Sequence, residues 1–359
     1  MPDTILPIRE FSLQSNDPHS PFIIAGPCSV ESRQQIIDTA LQLAEINNVS
    51  VLRAGIWKPR TLPGSFEGLG EKGLPWLKEA AEKSGLYAAT EVATSAHARA
   101  AIDAGIDILW IGARTAVNPF AVQELAETIA AIAPDIPVMI KNPVNPDTNL
   151  WIGAFRRFLQ AGVRHLAAIH RGFSAFDTKP YRNLPMWQIP MELHRRMPDL
   201  PIIHDPSHTG GSTQLLKPLS QQALDLGFDG LMVETHPNPS EALSDGGQQI
   251  TPDELKIMLG KLVIKHDYAE PDDELTILRH GIDACDLQLL ETLARRMSLS
   301  KKIGQYKLAH NIKVLQPDRY QKLLSVLVAK GSAEGLDHAF LERLFELIHE
   351  ESVRLQLDL

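Results

Sequence analysis

Four residues of this chain, Cys28, His208, Glu234 and Asp245, combine one soft ligand, one borderline ligand and two hard ones. That mixture suits a divalent transition ion. A thiolate with imidazole and carboxylates holds Mn, Fe, Co or Zn, whereas magnesium or calcium is poorly served by sulfur. Taken singly, a cysteine behind a strand reads as core and an aspartate in a Ser-Asp-Gly-Gly segment as a turn former; their standing at the ends of three different apolar runs makes them a candidate set. A second group is cationic: Arg53, Lys58, Arg60, Arg114, Lys141 and Arg171. Such residues ordinarily belong to a solvated face, but like charges gathered at one mouth repel unless an anion neutralises them. Phosphate meets that need, with Arg supplying a forked donor and Lys a point charge. Six cations match two phosphorylated substrates better than one.

The elements that must position these residues follow a repeating grammar. Apolar runs begin at residues 22, 51, 87, 108, 137, 165, 201 and 230. In that order they lead to Cys28, to Lys58 and Arg60, to Glu91, to Arg114, to Lys141, to His170 and Arg171, to His208, and to Glu234. Between them lie amphipathic stretches such as 32–47, 71–84, 119–132 and 150–160, with apolar residues three and four apart. Strands alternating with helices imply parallel βαβ units, and eight of them predict an α/β fold, a (β/α)8 barrel whose carboxyl-terminal mouth carries the site.

A barrel uses about 250 residues, and the chain has 359. A polar stretch around Pro271 predicts a linker over 264–273, dividing a barrel domain at 1–263, with a short N-terminal extension, from a domain at 274–359. No strand-type run follows it. One long amphipathic helix is predicted over 275–308; Pro317 opens a second that Gly331 and Gly335 end, and Asp337 caps a third running to about residue 357. So small an all-helical domain buries little alone, and a homodimer through it is expected. The net charge of -9 and singly spaced basic residues argue against a nucleic-acid partner. The absence of a basic start with an apolar core, of an eighteen-residue apolar run, and of more than the two cysteines Cys28 and Cys285 argues against secretion, membrane insertion and a disulfide framework. The cytoplasm is the expected location.

Six segments in order carry a family resemblance: Ala25-Gly26-Pro27-Cys28-Ser29, Lys58-Pro59-Arg60-Thr61, Gly112-Ala113-Arg114, His170-Arg171-Gly172, Asp205-Pro206-Ser207-His208, and the step from Glu234 to Asp245. Over about residues 21–262 the chain resembles 3-deoxy-D-arabino-heptulosonate 7-phosphate synthase of the type I-beta subclass. The resemblance implies condensation of phosphoenolpyruvate with erythrose 4-phosphate, with the metal on Cys28, His208, Glu234 and Asp245. It also implies that Arg53, Lys58, Arg114, Lys141 and Arg171, with Ala113 beside them, hold phosphoenolpyruvate, and that Arg60 and Thr61 hold the erythrose phosphate. The metal would polarise the aldehyde while paired cations fix the attack geometry. Lys58 is a candidate proton donor, and Glu91 a candidate for orienting water. The octulosonate phosphate synthase family, which uses arabinose 5-phosphate, is the nearest competitor on this barrel; it carries an ANRSS-like segment where this chain has Lys58 to Thr61. A catalytically silent barrel serving as a scaffold is the reading from a different class, and the intact ligand set disfavours it.

The helical part resembles the all-helical chorismate mutases in LRHGID from Leu278, LLETLARR from Leu289, IGQYK from Ile303 and RLFELIHEES from Arg343. That resemblance implies rearrangement of chorismate to prephenate. Arg296 and the partner subunit's Arg279 would bind the carboxylates, Lys307 and Gln356 would reach the ether oxygen, and Arg319 and Ser352 would complete the pocket. A pericyclic step needs no acid, base or nucleophile, only donors that select the compact conformer and stabilise the breaking ether. The chain departs from the family at Gln316 and Tyr320, where many members place acidic residues. Joining two steps of one pathway also predicts feedback, with chorismate or prephenate on the helical module inhibiting the barrel; the alternative is a module that acts only as a ligand sensor and dimerisation domain.

Overall fold

The computed structural model describes residues 4–8, 11, 20–58, 64–265 and 273–359. Arg60 and Thr61 lie outside the described residues, as does most of the linker expected over 264–273. The chain forms two compact units, Met1–His266 and Asp267–Leu359.

In the first unit eight strands, β1 (Phe22–Gly26), β2 (Val49–Arg53), β3 (Tyr87–Val92), β4 (Ile108–Ile111), β5 (Val138–Lys141), β6 (Leu166–His170), β7 (Ile202–His204) and β8 (Gly230–Glu234), close in sequence order into a barrel. Every neighbouring pair is parallel, β8 with β1 included. The helices are α1 (Arg33–Ala44), α2 (Leu74–Ser84), α3 (Ser95–Asp103), α4 (Pro119–Ile132), α5 (Thr148–Ala161), α6 (Gln188–Arg196), the single-turn α7 (Pro206–Gly210), α8 (Leu216–Asp225) and α9 (Pro252–Leu259). Their starts are chemically marked. Ser32 accepts from the Gln35 amide at 3.1 Å, Asp147 from Leu150 at 2.9 Å, and Thr251 with Glu254 forms a capping box.

Strand alternation separates two apolar layers. Ile24, Val51, Ala89, Ile108, Trp110, Met139, Ala167, Ile169, Ile203 and Met232 fill the barrel, and Ile8 and Phe11 join them at the amino-terminal end, with Phe11 stacked on Phe22 at 4.0 Å. The alternate residues, Ile23, Leu52, Leu109, Ile140 and Leu231 among them, belong to the layer under the helices. One further inward step along each strand falls on Gly26, Arg53, Glu91, Gly112, Lys141, Arg171, Asp205 and Glu234. The apolar plug therefore gives way, two residues on, to a charged rim at the mouth where a barrel carries its site.

The second unit is all-helical: α10 (Asp273–Ala309), α11 (Pro317–Ala333) and α12 (His338–Leu357), with α12 packed on both others. Asp337 caps α12, accepting from the Phe340 amide at 2.8 Å. Gly331, expected to end the second helix, instead lies within α11: a Cβ there would stand 2.6 Å from Leu341 Cδ1, so the glycine admits α12. Gly335, with φ of 87°, makes the turn beyond it. Little is buried here. Val328 and Leu341 are the buried hydrophobic residues among the described ones, while Ile277, Ile282, Leu287 and Leu290 on α10 are each more than 60% exposed.

Candidate active sites

Barrel closure brings the first candidate set together. Gly26 pairs with Glu234 where β1 meets β8, which puts Cys28, just beyond β1, beside the end of β8. Asp245 reaches in from the following loop, in the left-handed backbone region at φ 50°. Cys28 Sγ and one carboxylate oxygen each of Glu234 and Asp245 all lie within 4.8 Å of one another. His208, in α7, stands at the edge of this group, with Nε2 3.6 Å from Glu234 Oε1. Its Nδ1 lies 2.8 Å from Asp205 Oδ2, and its backbone N–H donates to Asp205 Oδ1 at 3.0 Å. A carboxylate on one ring nitrogen fixes the tautomer and leaves the other nitrogen free to coordinate.

The electrostatics of the cluster favour a cation. Burial, and then the Glu234 carboxylate, push the Cys28 thiol up to about 11. Lys58 Nζ lies 3.0 Å from Cys28 Sγ and from Cys28 O; burial works against its charge, but Cys28 and Glu234 hold the ammonium above its ordinary value. Burial likewise opposes the Glu234 charge, and His208, Arg53 and Lys58 outweigh it, holding the carboxyl below the usual range. Arg53 Nη1 donates to Glu234 Oε1 at 2.7 Å, and its guanidinium lies over the Trp110 ring, 4.9 Å from the centroid. A buried thiol, two carboxylates and an oriented imidazole, gathered where positive charge is already stabilised, fit a divalent transition ion.

Beside the cluster opens a cavity of about 410 Å³ lined by Lys58, Glu91, Ala113, Arg114, Lys141, Arg171, His208 and Asp245. Arg53 is not on its wall, being fully buried behind it against Glu234. Lys141 Nζ donates to Asp205 Oδ2 at 2.9 Å, and Arg171 Nη1 to Asn183 Oδ1 at 2.8 Å. Burial lowers the Arg171 guanidinium to about 10. Trp110 Nε1 donates to Glu91 Oε2 at 2.8 Å, turning that carboxylate along the wall. Sequence reasoning assigned no role to Asp205 or Arg182. Asp205 anchors both His208 and Lys141, and strand parity could have found it, since it stands two residues beyond the inward-facing Ile203. Arg182 lines the cavity and donates to Gln248 Oε1 at 2.6 Å and Asp245 Oδ1 at 3.3 Å; it sits in a loop, where no periodicity announces it.

In the helical unit Arg296 Nη1 donates to Ser352 Oγ and, at 3.2 Å, to the Ile348 carbonyl. Gln356 Nε2 donates to Ser352 O at 3.1 Å, leaving Gln356 Oε1 buried without a partner. Lys307 Nζ donates to Val314 O at 2.6 Å. Burial lowers the Arg296 guanidinium; burial first and Arg319 second lower the Lys307 ammonium. Tyr320 stacks on His349 at 3.8 Å, and the Tyr320 hydroxyl and His349 Nε2 are likewise buried and unpartnered. These polar atoms lie close to Arg296 and Lys307; burial first, and then those two charges, lower His349, and Arg319 is in turn close to Lys307. Arg279 is not brought there: it lies on α10 seventeen residues before Arg296, about 25 Å along the axis at 1.5 Å per residue.

Residues 13–267 match the DAHP synthetase I family, and residues 278–357 match chorismate mutase type II. The phospho-2-dehydro-3-deoxyheptonate aldolase of Thermotoga maritima is 40% identical over 228 residues, an alignment spanning 64% of this chain and 64% of that protein. The 2-dehydro-3-deoxyphosphooctonate aldolase of Desulfotalea psychrophila is 30% identical over 261 residues, covering 67% of this chain and 88% of the other. Among solved structures, the crystal structure of the Thermotoga maritima phospho-2-dehydro-3-deoxyheptonate aldolase (DAHP synthase) is similar with a TM-score of 0.62 at 34% identity, covering 72% of each chain. A truncated form of 3-deoxy-D-arabino-heptulosonate 7-phosphate synthase from Thermotoga maritima is similar with a TM-score of 0.59 at 32% identity, covering 72% of this chain and 90% of that one. The eight-stranded barrel with its Cys28, Glu234 and Asp245 cluster, joined to a separate three-helix unit, belongs to the DAHP synthetase I family and carries a C-terminal chorismate mutase type II domain.

Proposed function

We propose that the barrel condenses phosphoenolpyruvate with erythrose 4-phosphate to 3-deoxy-D-arabino-heptulosonate 7-phosphate and phosphate, and that the helical domain converts chorismate to prephenate. The observation that carries the first half is the thiol and carboxylate cluster opening directly onto a cavity walled by Lys58, Arg114, Lys141 and Arg171. Held by Cys28, His208, Glu234 and Asp245, a Mn, Fe, Co or Zn ion would supply Lewis-acid polarisation of the aldehyde oxygen. Lys141, Arg171, Arg114 and Lys58 bind phosphoenolpyruvate, Arg53 steadies Glu234 behind them, and Arg60 with Thr61 takes the erythrose phosphate. This arrangement sets the methylene carbon against the aldehyde. Lys58 keeps its proton in this environment and delivers it to the aldehyde oxygen as the carbon–carbon bond forms. Glu91 orients the water that adds to the cationic carbon, and phosphate leaves.

Arabinose 5-phosphate is the competing acceptor. The heptonate relative is 40% identical and the octonate relative 30%, which favours erythrose 4-phosphate. In the helical domain Arg296, Lys307, Arg319, Ser352 and Gln356 form the pocket with Arg279 of the partner subunit. The axial separation of Arg279 from Arg296 and the exposed apolar face of α10 both support a homodimer. Tyr320 and Gln316 in place of acidic residues support a weak mutase. Chorismate or prephenate bound there inhibits the barrel in this reading. The test is a metal-controlled assay of the purified protein, following phosphoenolpyruvate loss with each sugar phosphate and then chorismate loss with and without prephenate. Turnover confined to erythrose 4-phosphate and abolished by chelation is the expected result; turnover confined to arabinose 5-phosphate overturns it.

A further inference from the structure

Two adjacent glutamines behind the cluster have no part in the chemistry just described, yet Gln248 and Gln249 are only 2% and 1% exposed. Burying an amide is costly unless both its ends find partners, and here they do. Gln248 Nε2 donates to Glu234 Oε2 at 2.7 Å, while Arg53 occupies the other oxygen of that carboxylate. Gln248 Oε1 accepts from Arg182 Nη1 at 2.6 Å, and the same nitrogen lies 3.3 Å from Asp245 Oδ1. Gln249 Oε1 accepts from the Cys28 amide at 2.9 Å, and its Nε2 donates at 2.8 Å to the carbonyl of Ser244, the residue before Asp245. The Ser244 hydroxyl is 2.7 Å from that of Ser29, the residue after Cys28. One glutamine thus ties Glu234 to Asp245, and the next ties Asp245 to Cys28. Gln248 closes the 3-10 turn Gly246–Gln248 and Gln249, just beyond it, is extended; at that change of backbone the two side chains reach different ligands, Glu234 from Gln248 and the Cys28 amide from Gln249.

We infer that Gln248 and Gln249 are positioning residues that fix the mutual separation of Cys28, Glu234 and Asp245, with Arg182 closing the network at Asp245. The inference rests on the metal reading of the cluster. Its test is cobalt(II) titration of the chelator-stripped, full-length protein, read as affinity by competition with a chromophoric chelator and as the near-ultraviolet thiolate-to-cobalt absorption. Gln248→Met and Gln249→Met keep the volume and remove the hydrogen bonds; each is expected to weaken cobalt binding about 10–100-fold and to shift the cobalt spectrum. Phosphoenolpyruvate affinity of the metal-free variants, which reports the cationic wall, should stay within about twofold, separating misplacement of ligands from general loss of fold. Arg182→Met supplies a variant at a partly exposed side chain. Electrostatics alone would strengthen cation binding on loss of that charge, whereas a positioning role weakens it, so unchanged or tighter cobalt binding by Arg182→Met overturns the inference, as do wild-type affinity and spectrum in both glutamine variants. Cobalt binding that survives intact in Cys28→Ala would refute the metal reading itself.

Discussion

Buried ion pairs and imidazoles govern how single residues of the barrel respond to change. Lys141 and Asp205 are 5% and 1% exposed at 2.9 Å, so Lys141→Met strands a buried carboxylate that also holds His208. Removing one partner of such a pair costs about 3–5 kcal/mol, which a urea unfolding midpoint would report together with weakened phosphoenolpyruvate binding. A second response is to acid. His170 Nε2 faces the Pro185 carbonyl at 2.7 Å, and its Nδ1 faces His204 Nδ1 at 3.1 Å, deep under Trp187 and Phe228. Burial lowers His204 to about 3 and takes His170 well below its ordinary value, the His204 charge adding to the latter. A histidine whose folded value is depressed contributes stability that is present above its unfolded value, about 6.5, and is lost as the pH falls from there toward the folded value. Unfolding free energy is therefore expected to hold steady above about pH 6.5 and to lose on the order of 2 kcal/mol by pH 5 from His204 alone. His204→Gln should flatten that decline; an unchanged slope would remove His204 from the account.

At the scale of elements, the strands deliver the site by parity and the loops refine it. Glu91 stands one inward step beyond Ala89, and Gly112, two residues beyond its register partner Trp110 on β4, is a glycine for a reason of space: a Cβ there would lie 2.2 Å from Glu91 Oε1. Gly112→Ala should push Glu91 off the Trp110 indole and into the cavity, lowering kcat/KM for condensation about 10–100-fold, as misplacement by an ångström does. Circular dichroism should show the barrel intact. A variant with wild-type kinetics would mean that Glu91 has no part in the reaction. The same close approach recurs at Gly331, where a contact between helices replaced the termination read from the sequence. Glycine spacing alone cannot distinguish the two uses, because both need the missing Cβ.

At the scale of the whole molecule, a DAHP synthetase I family domain and a chorismate mutase type II domain share one chain, and the proposed dimer and feedback are each open to test. If Arg279 acts across a dimer interface, Arg279→Met and Arg296→Met should each abolish mutase activity, while a mixture refolded together should regain it. Random pairing gives half heterodimers, each with one intact site of two, so about a quarter of the wild-type activity should return. No recovery would place Arg279 outside the pocket. Deleting 274–359 should leave phosphoenolpyruvate consumption insensitive to prephenate; a folded barrel that keeps the inhibition would refute feedback through the helical domain.

By itself the sequence determined the architecture and the main chemical inventory. Period-two and helical apolar patterns are local properties, and eight of the former alternating with helices admit few arrangements, so the barrel and the separate helical unit were legible; Cys28, Glu234 and Asp245 stood out by ligand type, and the fold gathers them within 4.8 Å. Tertiary structure decided what depends on distance between loops. Arg53 looked like one cation among six, but barrel closure turned it onto Glu234 and out of the cavity wall. Asp205 was hidden inside a motif although strand parity pointed to it. Arg182, Gln248 and Gln249 left no signal, because irregular segments carry no periodicity and their value lies in partners 14 to 221 residues away. Only folding brings those partners within hydrogen-bond reach.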